Sequence, residues 1–143
     1  MNHQRPGSPE ISKKVYEAHE AVAHGQRWIA VRQHYSENCA ELFIDDEEQF
    51  WELILLSLNE IKESGPHKCY AGKQPPERAG EAGIKGLELW PFCWTSKKWT
   101  AKLRGEDAHL TWDGLMYLKF VIQKSEQAKE PKYGHVDIHK SRL

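Results

Sequence analysis

Tyr117, Lys119, His135, Asp137 and His139 bring a phenol, an ammonium, two imidazoles and a carboxylate into two short runs near the C-terminal end of this chain. A strand points successive side chains to opposite sides. From Gly114 to Gln123, Met116, Leu118, Phe120 and Ile122 then form one apolar face, with Tyr117, Lys119 and Gln123 on the other. From His135 to His139 the pattern repeats, Val136 and Ile138 alternating with His135, Asp137 and His139. If the two runs pair antiparallel, a phenol, an ammonium, two imidazoles and a carboxylate gather on one face, with Lys140 and Arg142 just beyond the strand end. Such groups supply what RNA cleavage without a metal requires: a base for the 2′-hydroxyl, cations for the charge growing on phosphorus, and an acid for the leaving oxygen. Histidine, with an unperturbed pKa of about 6.5, suits the proton transfer. Parity therefore selects His139 as base or acid, Lys119, Lys140 and Arg142 as phosphate clamps, and Tyr117 as orienting donor or base. The same alternation also describes a solvated polar face of a half-exposed sheet, and spacing alone leaves both readings open.

Two further groupings carry weaker chemistry. Tryptophan is abundant, with 6 in the chain, and Trp94-Thr-Ser-Lys97-Lys98-Trp99 interleaves aromatics with cations as an RNA-binding strap would. Core filling should absorb at least four of the six, and Trp94 is the one expected at the surface, beside Lys98. His67, Cys69, Cys93 and His109 contain zinc-ligand types, but no pair has the spacing of a structural zinc site, and neither metal nor cofactor is expected. No activating helix N-terminus or nucleophile elbow surrounds any cysteine.

A chain of 143 residues suffices for one domain with a single core. The 3 cysteines, without CxxC spacing, read as reduced and mostly buried thiols. No segment approaches the roughly 20 apolar residues of a membrane span, and the start lacks the apolar middle of a signal peptide, so a cytoplasmic protein is expected. The net charge of −1 hides an asymmetry: residues 1–96 carry 10 Lys+Arg against 15 Asp+Glu, residues 97–143 carry 10 against 6. A neutral total argues against sequence-blind nucleic-acid binding, while the basic C-terminal part still suits a few phosphates.

Ser8-Pro9-Glu10 reads as a helix start, followed by Ile11, Val15, Ala18 and Val22 at helical spacing and stopped by Gly25. Asp45 to Glu48 crowd negative charge at the start of a second helix, whose Phe50, Trp51, Leu53, Ile54, Leu55, Leu58 and Ile61 predict deep burial. Between them, Trp28 to Val31 reads as a short strand and Ser36 to Leu42 as a helical turn. Residues 64–86, rich in Gly and Pro, read as a long loop that is either functional or slack. Strands follow at Leu87 to Trp94, Lys98 to Leu103, His109 to Trp112, Leu115 to Gln123 and His135 to His139. The expected architecture is α+β, two or three helices packed on one face of a mostly antiparallel sheet.

The run from Gly114 to Ile122, with Val136-Asp-Ile-His139-Lys140, resembles the closing hairpin of the motility quorum-sensing regulator (MqsR-like) toxins among the RelE-type mRNA interferases. The order upstream is also similar: a helix ending at Gly25-Gln26, an Arg-containing segment, an apolar helix through Ile54-Leu-Leu-Ser-Leu58, and Lys62 near its end. The resemblance implies a RelE/MqsR-like fold and an endoribonuclease toxin that cuts mRNA and is held inactive by an antitoxin. It assigns Lys62, Tyr117 and Lys140 to catalytic positions and Lys119 to the strand motif. Two positions depart from the pattern: Trp99-Thr100 stands where the family has Trp-Gln, and His139 replaces an aromatic residue. The alternative, from a different class, is a non-catalytic immunity, inhibitor or antitoxin-like binding domain.

Overall fold

The computed structural model describes residues 8–73, 76–124 and 130–141; Arg142, one of the expected clamps, lies outside them. The chain runs α1 (Ser8–Ala23), β1 (Arg27–Ile29), α2 (Arg32–Glu41), α3 (Glu47–Ser64), α4 (Pro66–Cys69), β2 (Trp90–Thr95), α5 (Lys97–Glu106), β3 (Leu115–Gln123) and β4 (Lys132–Lys140). The strands form one sheet in the order β1-β4-β3-β2. The α+β class is as expected. The detail differs, with five helices among the described residues and a mixed sheet, because β1 joins β4 in parallel while β2–β3 and β3–β4 are antiparallel.

The two long helices follow their apolar periodicity. Ile11, Val15, Ala18 and Val22 of α1 are fully or almost fully buried, as are Phe50, Ile54, Leu58 and Ile61 of α3. At the start of α3 the Asp46 carboxylate accepts from Gln49 N at 2.8 Å, and Gln49 Oε1 reaches back to accept from Asp45 N at 2.8 Å. The first bond satisfies a donor orphaned by the helix start, and the second ties down the residue before the cap. These helices pack against Trp90, Phe92, Met116, Leu118, Phe120 and Ile138 on one face of the sheet, forming the main core.

Two expected strands are not strands. Residues from Lys98 to Leu103 belong to α5, because Ser96 caps that segment: its Oγ accepts from Trp99 N at 3.0 Å. Trp99 and Leu103, spaced as one helical face, are both buried. His109 to Trp112 is irregular, with His109 N donating to Asp107 Oδ1 at 3.0 Å in a side-chain turn that competes with a ladder. The helical turn expected from Ser36 is part of the longer α2.

The segment 64–86 is only partly loop. Ser64 ends α3, α4 follows, and Arg78 bridges to Glu88. Ala79, Ile84, Leu87 and Leu89 lie with Val121 and Val136 against the sheet face opposite the main core, making a second small apolar cluster. Burial of this size outweighs the conformational freedom that composition suggested.

The decisive irregularity is in β4. Lys119 pairs with Asp137 but Phe120 pairs with His135, so Val136 is an extra residue, a β-bulge, against β3. A bulge inverts the facing of everything beyond it. His135 therefore does not share a face with Asp137 and His139; it is fully buried on the core side, its ring 4.7 Å from that of Phe50.

Candidate functional site

Downstream of the bulge, the open face of the sheet is built in rows. Cys93, Tyr117 and His139 are successive cross-strand neighbours, and Pro91, Lys119 and Asp137 form the next row. The Tyr117 and His139 rings stack at 4.9 Å with an interplanar angle of 21°. His139 Nδ1 donates to the Lys140 carbonyl at 2.8 Å, which leaves Nε2 as the acceptor of the neutral ring. That Nε2 stands 3.8 Å from Asp137 Oδ2.

Residues 71–73, with Glu77 and Leu89, overhang this face and close a cleft of about 190 Å³ whose floor includes Pro91, Tyr117 and Lys119. The overhang is held by Ala71 N donating to Pro91 O at 3.0 Å and Tyr70 Oη donating to Lys73 O at 3.1 Å. Gly72 lies so close over the Tyr70 ring that a Cβ there would collide with its Oη. The Lys73 ammonium pairs with Glu77 at 3.1 Å at the exposed mouth. A cleft this size is below the roughly 300–1,000 Å³ of drug-sized sites and suits a phosphate or one small ring.

Burial pushes the Tyr117 phenol up to about 12, helped by the adjacent Cys93, Asp137 and Glu77. It is thus a proton donor at neutral pH, which favours the donor role over the base role. No hydrogen bond of its hydroxyl and no ion pair of the Lys119 ammonium occurs among the described residues. Burial raises the Cys93 thiol, partly opposed by a hydrogen bond from Ser141, and raises Cys69 to about 11, so neither is poised as a thiolate. The three cysteines are free, and no group of three or more His, Cys, Asp or Glu among the described residues could hold a metal ion.

The other expected site residues are dispersed. Lys140 pairs with Met116, at the end of the core-facing row, half-buried beside His139. Lys62 is in the last turn of α3, its ammonium 4.6 Å from the Tyr16 ring, in the helical layer across the sheet from Tyr117. Trp94 is not at the surface: it is 3 % exposed, because it shares the core parity of Phe92 and Trp90 and its Nε1 donates to Glu60 Oε1 at 3.0 Å. Lys98 is exposed at the start of α5, its backbone N donating to Glu60 Oε2 at 3.3 Å. Trp51, Trp90, Trp94 and Trp99 are the four buried tryptophans, so core filling took the expected share and included Trp94.

Sequence reading did not find Lys73 and Glu77, whose only signal was their place in the Gly/Pro-rich segment, nor Asn38. Asn38, 3 % exposed in α2, donates from Nδ2 to Asp137 Oδ1 at 2.8 Å. Its Oδ1 accepts from Ile138 N and faces His135 Nε2, each at 3.0 Å.

No protein-family model, curated protein or solved structure matches the chain. No described helix is long and apolar enough to cross a membrane.

Proposed function

We propose that the protein is a metal-independent endoribonuclease, the toxin of a toxin–antitoxin pair, cutting mRNA in the cytoplasm at the Tyr117, Lys119 and His139 face. The supporting observation is the adjacency of Tyr117, Lys119 and His139 on one open face, where Tyr117 and Lys119 line a cleft of about 190 Å³ and the His139 ring stacks on Tyr117. The resemblance of the β3–β4 hairpin to the RelE/MqsR-type interferases supplies the substrate class.

In this reading His139 Nε2 takes the proton of the 2′-hydroxyl, whose oxygen attacks phosphorus. The resulting imidazolium is flanked by Asp137 Oδ2, 3.8 Å away. Lys119 faces the non-bridging oxygens, where charge develops. The bond from phosphorus to the 5′-oxygen breaks, and Tyr117, protonated because burial holds it at about 12, hands that oxygen a proton. The products are a 2′,3′-cyclic phosphate and a 5′-hydroxyl; solvent returns the proton from His139 to Tyr117. Lys62, Lys98 and Trp94 take no part.

Expression without a partner tests this. Wild-type protein should arrest growth and cut RNA to 5′-hydroxyl ends, and His139→Ala should do neither. Full cleavage by His139→Ala sinks the assignment, and the absence of cleavage by the wild type favours the binding-domain alternative.

A further inference from the structure

The edge of β4 is paired by β1 only as far as His135, since the register ends at Ile29 opposite His135. Beyond it, α2 substitutes side chains for a strand. His34 Nδ1 bonds Val136 O at 3.0 Å, and one turn later Asn38 Oδ1 accepts from Ile138 N at 3.0 Å. His34 and Asn38 are thus alike in satisfying backbone groups of a bare edge. Asn38 alone does something more: its remaining amide hydrogens face the Asp137 carboxylate, which it binds at 2.8 Å.

That bond has a directional consequence. Asp137 sits directly across from Lys119 in the ladder, where an acid and an ammonium ordinarily attract. No ion pair joins them; Oδ1 is held by Asn38 and Oδ2 is turned to His139 Nε2 at 3.8 Å. The donor is itself fixed, because Asn38 Oδ1 is anchored to Ile138 N and to the His135 imidazole, whose Nδ1 lies 3.3 Å from Tyr133 Oη. Tyr133 donates to Nδ1, His135 donates from Nε2, and the amide passes the polarity across the sheet edge to the open face.

We propose that Asn38 is a positioning residue for the site: its amide holds the Asp137 carboxylate toward His139 and away from Lys119, leaving the ammonium free for a phosphate. The role in catalysis rests on the ribonuclease reading; the positioning itself does not. A carboxylate at position 38 keeps both acceptor functions, toward Ile138 N and His135, but repels Asp137 where the amide held it.

The test compares Asn38→Asp at pH 8 with His34→Ala, which removes the equivalent edge bond without touching Asp137. Asn38→Asp should keep the native amide spectrum in the core, displace the His139 imidazole NMR signals, lower kcat for RNA cleavage about 10- to 100-fold, and raise KM as the released Asp137 carboxylate competes for Lys119. His34→Ala should lower stability and leave the His139 signals and kcat as in the wild type. Unmoved His139 signals in Asn38→Asp, or equal displacement in both variants, overturn the proposal. Displaced signals in a protein that cuts no RNA uphold the positioning and reject the ribonuclease.

Discussion

The imidazole of His139 lies against the ring of Tyr117, 4.9 Å between centroids and 21° between planes, while Tyr117 itself is half-buried between Cys93 and the overhanging loop. The stack fixes the histidine ring from one side and the Lys140 carbonyl fixes it from its edge. Among the described residues the Tyr117 hydroxyl has no hydrogen-bond partner.

Ring and hydroxyl can therefore be separated. Tyr117→Phe keeps the stack and removes the donor, so RNA cleavage should fall about 10²- to 10⁴-fold while the melting temperature stays close to the wild type. Tyr117→Ala should lose both. Cleavage rates and thermal melts on the same preparations check this, and a Phe variant as active as the wild type removes Tyr117 from the proton inventory.

Lys119→Gln tests the phosphate contact. Its removal should reduce the slope of log affinity against log salt for single-stranded RNA by about 0.7, the increment of one lost phosphate neutralisation. An unchanged slope would place the phosphate elsewhere.

Acid should act through His135. Burial holds its folded pKa down to about 3, with the nearby His34 adding to the effect, against about 6.5 for the unfolded residue. The unfolded chain then binds the extra proton, so its contribution is intact above pH 6.5 and is lost as pH falls from 6.5 toward 3. The slope it adds is at most about 1.4 kcal/mol per pH unit. Urea titrations at stepped pH should show that slope, and His135→Phe, less stable at pH 7, should show it reduced.

Alkali should act in the opposite sense through Tyr117, whose phenol is raised from 10 to about 12. The neutral form is favoured in the fold, so the contribution is complete below pH 10 and declines as pH rises through 12. Because Tyr117 is only partly buried, the slope should be shallower than that of a full proton. Absorbance of the phenolate band in wild type and Tyr117→Phe would isolate its titration.

Gly134→Ala should be costly for a purely spatial reason. A Cβ at this position would lie 2.6 Å from Trp28 Cη2 and 2.7 Å from Val121 Cγ2. With an indole on one side and a β-branched side chain on the other there is little room to yield, and overpacking of this kind costs about 1–3 kcal/mol. A lower urea midpoint with unchanged m-value is the expected result.

How far the sequence disclosed this molecule depends on the length over which a rule acts. The helices α1 and α3 repeat their apolar period for several turns and were legible, as was the two-faced character of β3 from Met116 to Lys119. Residues from Lys98 to Leu103 were not, because Trp99 and Leu103 fit either period over so short a span and the Ser96 cap decided between them. Trp94 looked exposed only while it was read with Lys97, Lys98 and Trp99 as one strap of alternating aromatics and cations. Asp137 and His139 were placed beside Tyr117 by simple alternation. His135 was misplaced by the same rule, since nothing in Gly134-His-Val-Asp137 announces an inserted residue. Asn38 left no trace, being one polar residue in a largely polar α2.

Because of the insertion at Val136, β4 answers to two independent demands. Its first half, through Tyr133 and His135, must fit a closed volume, whereas the side chains of Asp137 and His139 answer to Asn38, Tyr117 and what reaches them from outside. Substitutions that retune the open half can accumulate without disturbing the interior, which makes a single surplus residue the joint at which chemistry can be revised while the architecture is kept.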